Sequence, residues 1–183
     1  WATHGRPNEI NAHPHADERV VLVHNGIIEN FQELRQELTG KGHEFHTDTD
    51  TEAVVHLVSS FLANGSTPHE AVALTLSRLE GAFALAILFA GYEGLIIGAR
   101  RGSPLAIGYG EGEMYLGSDA MALAPLTKDI CYLEEGDWVE IVPESAVIYD
   151  FNGKTIERPI QQSLASADNT GKGNFEHFML KEI

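Results

Sequence analysis

From residue 82 onwards, the sequence is a series of short apolar runs that glycine, proline and aspartate separate. These runs are rich in valine, isoleucine, leucine and aromatic residues, which predicts an antiparallel sheet system. Several runs are apolar almost throughout. We therefore expect sheets that are covered by helices on one face and by a second sheet on the other. The predicted strands span residues 82–90, 95–99, 105–109, 114–117, 138–142 and 146–151.

Helices are predicted in the part of the sequence that precedes these strands. The apolar run Arg19–Val23 fits a buried strand, and residues 30–40 follow it with apolar residues at helical spacing. Thr49-Asp50-Thr51-Glu52 fits a capping box, Ser/Thr-x-x-Glu, that opens a helix, and Thr67-Pro68-His69-Glu70 fits a second box. The helix that starts at the second box is expected to end near Gly81.

Two local signals predict short elements later in the chain. Asn152-Gly153 lies between two β-rich segments and predicts a hairpin, since both residues tolerate a positive φ. Asp119 precedes a short apolar segment, 121–123, and is predicted to cap a short helix there.

Composition predicts a single domain without nucleic-acid or membrane partners. The 183 residues suffice for one domain with a sizeable core. Twelve basic residues against 27 acidic ones give a net charge of −15, which disfavours binding to nucleic acid or to an anionic membrane. No apolar run approaches the roughly 20 residues of a membrane-spanning helix. The beginning of the sequence also lacks a basic-then-apolar leader pattern, so we expect a cytoplasmic protein.

The segment Val23-His24-Asn25-Gly26 lies where an apolar run stops and a helical pattern begins. An asparagine side-chain amide and a glycine N–H can point at one spot, as a developing tetrahedral oxyanion requires. We therefore interpret Asn25 and Gly26 as a candidate oxyanion hole, and His24 as a packed residue rather than a base. No nucleophile accompanies them, because the single cysteine, Cys131, has the apolar flanks of a buried strand residue.

Two other chemistries are disfavoured by residue spacing. The tightest histidine pairs, His13-x-His15 and His43-x-x-His46, match no established zinc spacing, so we expect no metal. Gly108-x-Gly110-x-Gly112 follows a predicted strand, but no helical pattern comes after it and its neighbouring glutamates would repel a phosphate. We interpret it as a turn.

Six sequence blocks occur in order along the whole chain. They are Trp1-Ala2-Thr3-His4-Gly5, Asn11-Ala12-His13-Pro14-His15, Val23-His24-Asn25-Gly26-Ile27-Ile28-Glu29-Asn30, Thr49-Asp50-Thr51-Glu52, Leu133-Glu134-Glu135-Gly136-Asp137 and His177-Phe178-Met179-Leu180-Lys181-Glu182-Ile183. Together these blocks closely resemble the glutaminase domain of the glutamine–fructose-6-phosphate aminotransferase family. The resemblance implies hydrolysis of the glutamine side-chain amide. It also implies transfer of the ammonia to a C-terminal sugar isomerase domain that makes glucosamine 6-phosphate from fructose 6-phosphate.

The same resemblance implies roles for individual residues. Asn25 and Gly26 would form the oxyanion hole, and Asp50 would hold the α-amino group of glutamine. A loop that closes over glutamine would contain or adjoin four further substrate-binding residues: Trp1, Thr3, His4 and His13. No metal or organic cofactor is implied.

The sequence departs from the family at the nucleophile. The family uses a cysteine at the mature N-terminus with its own α-amino group as base, and an arginine immediately before Trp1; neither is in this sequence. We therefore expect a fragment that does not hydrolyse glutamine as given. The parent protein, a homodimer by the same resemblance, would do so.

The resemblance also implies the fold and the domain layout. The fold is a four-layer αββα sandwich of two antiparallel sheets, of the N-terminal nucleophile hydrolase type and in the α+β class. Its first strands would precede residue 1, which would leave sheet edges exposed. Residues 1–160 would form the glutaminase domain, 161–174 a linker, and 175–183 the start of a helix that leads to the isomerase domain.

Three alternatives remain open. The chain could be a catalytically silent module that binds glutamine or glutamate, or another amidotransferase with an N-terminal cysteine, such as the phosphoribosyl-pyrophosphate enzyme. It could also be a metal-dependent hydrolase that uses the histidine pairs.

Overall fold

The computed structural model describes residues 5–163, which contain four helices and eleven strands. The helices are α1 (Phe31–Gly40), α2 (Asp50–Ala63), α3 (Pro68–Leu76) and α4 (Ala120–Leu123). The strands are β1 (His15–Ala16), β2 (Val20–Ile28), β3 (Gly81–Phe89), β4 (Ile96–Arg101), β5 (Ala106–Tyr109), β6 (Met114–Gly117), β7 (Asp129–Tyr132), β8 (Trp138–Val142), β9 (Ser145–Tyr149), β10 (Thr155–Ile156) and β11 (Ile160–Gln162).

The strands form two sheets in which neighbouring strands run antiparallel. One sheet has seven strands in the order β1-β2-β3-β4-β8-β9-β10, and the other has four in the order β11-β7-β5-β6. The longest ladder joins β2 to β3, with Val20 opposite Phe89 and Ile28 opposite Gly81. The antiparallel sheet system that the sequence predicts is therefore confirmed.

The two sheets and the helices form layers, because alternate residues of a strand face opposite sides of its sheet. Leu22 and Ile87 face helices α1 to α3 and share one apolar core with Leu57 of α2. Ile107 and Val139 belong to a second core between the two sheets. The opposite face of the four-stranded sheet is covered by α4, whose Leu123 packs there. This order of helices, sheet, sheet and helix confirms the expected α+β sandwich.

The N-termini of α2 and α3 are the sites of the two predicted capping boxes. Thr67 and Glu70 form the predicted box at the start of α3, with reciprocal bonds between each side chain and the other residue's backbone N–H. At α2, Thr49 is the N-cap residue but its side chain makes no capping bond. The carboxylate of Glu52 instead accepts from the backbone N–H groups of His46 and Thr47, at 2.7 and 2.8 Å. The predicted box at Thr67–Glu70 is therefore confirmed. The box predicted at Thr49–Glu52 marks the start of the helix correctly, but its predicted bonds are wrong.

Two predicted element boundaries differ from the structure. Helix α3 ends at Leu76 rather than near Gly81, because β3 begins at Gly81. Strand β2 does not stop at Val23 but continues to Ile28 through its pairing with β3. Strand β11 spans Ile160–Gln162, and the domain boundary at residue 160 stays a prediction. The rest of the predicted linker and the predicted final helix lie outside the described residues.

Short-range signals predicted three further features. Asp119 caps α4 by accepting from the N–H of Ala122 at 2.9 Å. The β9–β10 hairpin forms at Asn152-Gly153, but only Gly153 has a positive φ, and Asp150 Oδ1 binds the turn through the N–H of Asn152. Cys131 lies fully buried on β7, as its flanks predicted.

Part of the inner face of the seven-stranded sheet extends beyond the four-stranded sheet. Strand β6 is the edge of the smaller sheet. Past this edge, Val21, Val23 and Leu88 are large apolar residues that remain exposed. Together with β6, these residues border a cleft of about 360 Å³. We call Val21, Val23 and Leu88 the open apolar face.

Ile87 and Leu88 allow a matched stability test of this layering, because neighbouring residues of a strand face opposite sides of the sheet. Ile87 is fully buried and Leu88 is 47% exposed. We expect Ile87→Ala to lower the free energy of unfolding by about 2–5 kcal/mol. Leu88→Ala is expected to lower it by about 0.5 kcal/mol or less. Urea titrations measure both, and equal losses would contradict an open apolar face.

Candidate active site

A cleft of about 960 Å³ opens where β2 ends and α2 begins. Three segments contribute its walls: the loop before β1, the last residues of β2 and the first turn of α2. The lining residues are Pro7, Asn8, Glu9, Asn11, Ala12, His13, His24, Asn25, Gly26, Ile27, Thr49, Asp50 and Thr51. The cleft thus brings together four of the predicted site residues, namely His13, Asn25, Gly26 and Asp50.

Gly26 lies where β2 passes very close to β3. Its φ is +132°, and a Cβ built there would lie 2.1 Å from the carbonyl oxygen of Ala82. Any other residue would both clash and be strained, so only glycine allows the strand to continue here. Asn25, directly before it, is exposed to the cleft.

Two backbone bonds of β2 flank Gly26 along the strand. The N–H of His24 donates to Nδ1 of His13 at 3.3 Å, and that of Ile28 donates to Oδ2 of Asp50 at 2.8 Å. Both bonds lie on the side of β2 that faces away from β3. Gly26 lies between these two bonds along the strand, and it lines the cleft together with Asn25. The predicted pair of donors therefore meets at the cleft.

Asp50 is the first residue of α2 and is buried, although it lines the cleft. The N-terminus of a helix carries partial positive charge, which favours a carboxylate at this position. Its Oδ2 also lies 4.0 Å from Nδ1 of His24. Asp50 therefore connects the helix to the strand that carries Asn25 and Gly26.

The loop that precedes β1 is fixed by a residue to which sequence reasoning assigned no role. Asn11 is buried, its Nδ2 donates to the carbonyl of Arg6 at 2.9 Å, and its Oδ1 accepts from the N–H of Asp48 at 3.1 Å. A Cβ on Gly5 would lie 2.6 Å from Nδ2 of Asn11. Asn11 thus joins this loop to the approach to α2. Its place in the second resembling block was the one available signal.

His13 and His15 lie on either side of Pro14, with their rings in edge contact at 5.2 Å. Burial lowers the pKa of both, and the charge of His15 lowers that of His13 further. Nε2 of His15 lies 3.4 Å from Oγ1 of Thr49 at the start of α2. Their neutral forms are therefore favoured in the folded protein.

Four further predictions concern the first residues of the chain, metal binding, membrane spans and Cys131. Trp1, Thr3 and His4 lie outside the described residues. Within residues 5–163, no group of three or more His, Cys, Asp or Glu side chains is placed to hold a metal ion. No helix in that same range has the length and apolar character to cross a membrane. Burial raises the pKa of the Cys131 thiol, which disfavours the nucleophilic thiolate.

Comparison with known sequences assigns the chain to a family. The glutamine amidotransferase domain family matches residues 8–125, more than half of the chain. The chain belongs to this glutamine amidotransferase family. The matched segment of the amidotransferase contains His13, Asn25, Gly26 and Asp50.

Two relatives confirm the more specific resemblance of the six sequence blocks. The amidotransferase chain is 60% identical to the glutamine–fructose-6-phosphate aminotransferase (isomerizing) of Bradyrhizobium diazoefficiens, and 60% identical to that of Mesorhizobium japonicum. Each match covers 100% of this chain and 30% of the relative. The chain therefore spans less than a third of these relatives' length.

Solved structures share the fold of this amidotransferase. Glutamine phosphoribosylpyrophosphate amidotransferase from B. subtilis, complexed with ADP and GMP, is 29% identical with a TM-score of 0.61, over 74% of this chain and 30% of that one. A glutamine aminotransferase class-II domain protein from Silicibacter pomeroyi is 22% identical with a TM-score of 0.61, over 80% and 74% of the two chains. The second likeness concerns the fold alone.

The lowered pKa of His15 predicts how the stability of the amidotransferase depends on pH. In the unfolded chain the pKa is about 6.5, so on acidification the unfolded state takes up the proton first. His15 therefore contributes stability above pH 6.5 that is lost as the pH falls through its lowered pKa. We expect the free energy of unfolding, from urea titrations, to fall between pH 7.5 and 5.5, and to fall less in His15→Asn. Equal losses in the two proteins would contradict this role of His15.

Proposed function

We propose that this domain hydrolyses the side-chain amide of glutamine, and that the ammonia serves the synthesis of glucosamine 6-phosphate from fructose 6-phosphate. The observation that carries the proposal is the meeting of Asn25, Gly26 and Asp50 at one cleft. Identity supports the sugar-phosphate enzymes over the phosphoribosylpyrophosphate enzyme, at 60% against 29%.

Attack on the amide carbon of glutamine converts its carbonyl oxygen into an oxyanion. The side-chain amide of Asn25 and the N–H of Gly26 stabilise this charge as it develops. Strand β2 holds Gly26 in place before substrate arrives, through its pairing with β3 and a close approach to Ala82 that only glycine fits. Donors that are already in position need no reorganisation during the reaction, and this makes them effective.

Asp50 receives the α-amino group of the substrate. Its carboxylate lies at the cleft near the start of α2, and one oxygen accepts from the N–H of Ile28. A carboxylate has about four acceptor sites on its two oxygens, so it can hold the strand and bind an ammonium group together. Trp1, Thr3, His4 and His13 complete the enclosure of glutamine in this proposal. Asn11 joins Arg6 in the loop before β1 to Asp48 at the approach to α2.

The nucleophile comes from polypeptide outside these 183 residues. By the family resemblance it is a terminal cysteine, whose thiol loses its proton to its own α-amino group and whose sulfur attacks the amide carbon. The amine then protonates the departing ammonia, and water hydrolyses the resulting thioester to glutamate. Burial of Cys131 between the two sheets supports this assignment, since it leaves no accessible cysteine in the chain.

The sugar isomerase domain that would consume the ammonia belongs to the rest of the parent protein in this proposal. The relatives are more than three times as long as this chain, which leaves room for such a domain. The homodimer of the parent and its cytoplasmic location stay predictions from the sequence.

Glutamate release from glutamine tests the proposal. We expect activity in a chain extended upstream to the terminal cysteine, and none in the 183-residue chain. Silence in both would favour the alternative of a glutamine-binding module without catalysis. Glutamate release that survives replacement of the terminal cysteine would refute the assigned nucleophile.

Asn25→Ala in the extended chain tests the oxyanion hole. Removal of one such donor typically costs about 3 to 4 kcal/mol, so we expect kcat to fall roughly 100- to 1000-fold. Asn152→Ala in the exposed β9–β10 hairpin is the control, and it should retain the parent kcat. A parent-like kcat in Asn25→Ala would exclude Asn25 as a donor.

A further inference from the structure

The hydroxyl group of Thr51 contacts the strand that carries the proposed oxyanion donors. Its Oγ1 lies 3.1 Å from Nδ1 of His24, the residue directly before Asn25. Thr51 is 2% exposed and the His24 side chain is equally buried. If this buried hydrogen bond is removed, bulk water cannot take the place of the lost partner. The His24 side chain then loses a contact that helps to hold it in position.

Two bonds from adjacent residues of α2 hold β2 on either side of Gly26. Thr51 holds His24, two residues before Gly26, through their side chains. Asp50 holds Ile28, two residues after it, through the backbone N–H at 2.8 Å. The first turn of α2 therefore fixes both ends of a five-residue stretch of β2 whose centre is the proposed oxyanion site.

We infer that Thr51 is a positioning residue, whose hydroxyl fixes the His24 side chain and thereby the placement of Asn25 and Gly26. The inference rests on the proposed glutamine hydrolysis, since it assigns Thr51 a role in that reaction. Thr51 acts through His24 and needs no contact with the reacting atoms. An oxyanion hole depends on the position of its donors relative to the transition state, so a small shift of β2 lowers kcat.

The chain offers a matched control for the loss of a buried hydroxyl. Thr75 of α3 is 1% exposed, and within the described residues its Oγ1 has no hydrogen-bond partner. Thr75→Val removes the same group from an equally buried site that lies away from the cleft. Thr51→Ser keeps the hydroxyl at the site and removes only a methyl group.

Kinetics of the extended, cysteine-containing chain test the inference. We expect Thr51→Val to lower kcat about 10- to 100-fold, the scale of a misplacement of roughly 1 Å or less. The KM for glutamine should stay within about twofold, because the ground-state contacts at Asp50 are retained. Thr51→Ser should restore most of kcat, and Thr75→Val should leave it unchanged. A parent-like kcat in Thr51→Val, or equal losses in Thr51→Val and Thr75→Val, would overturn the inference.

Nuclear magnetic resonance gives a readout that does not depend on catalysis. In the same extended chain, Thr51→Val should shift the imidazole nitrogen signals of His24 and the amide signals of Asn25 and Gly26. Thr75→Val should shift none of them. Unchanged signals in Thr51→Val would overturn the inference even in an active enzyme. If the parent chain releases no glutamate, the proposed function fails, while the signals still report whether Thr51 positions the strand.

Discussion

The close approach of Gly26 to the carbonyl oxygen of Ala82 is the constraint on which the site depends. It lets β2 continue as one paired strand from the core, where Leu22 packs, to Ile28 at the end of the cleft. The proposed oxyanion donors therefore belong to a core strand rather than to a mobile loop. A rigid element holds catalytic donors more closely than a loop does, and this suits a charge that develops only during reaction.

The first turn of α2 serves the fold and the site with the same side chains. The carboxylate of Glu52 holds the loop at His46 and Thr47, Asp50 holds Ile28, and Thr51 holds His24. Each bond joins the helix to an earlier part of the chain. Glu52 binds the loop directly before α2, and Asp50 and Thr51 bind strand β2. Most of these polar groups are buried, so breaking one of the bonds would leave polar atoms that water cannot easily reach. The bonds therefore keep α2 and β2 in a fixed position relative to each other.

Two of the three capping signals in the sequence were read correctly. The Thr67–Glu70 box and the Asp119 cap formed as predicted, and each closes within three residues. The Thr49–Glu52 box has the same spacing but did not form, because Glu52 binds the N–H groups of His46 and Thr47 instead. Strand β2 was predicted too short, since asparagine and glycine are poor strand residues and only pairing with β3 extends it. The Asn11 bond to Asp48 crosses 37 residues, and a single sequence does not show such a pair. The candidate donors were found because resemblance and chemistry agreed on Asn25 and Gly26.

The open apolar face and Asn25 share one face of strand β2. Side chains two residues apart on a strand share a face, so the row that begins at Val21 and Val23 continues to Asn25. Val21 and Val23 are exposed where the smaller sheet ends, and Asn25 borders the cleft. One face of β2 therefore carries exposed apolar residues near one end of the strand and the proposed oxyanion donor Asn25 near the other.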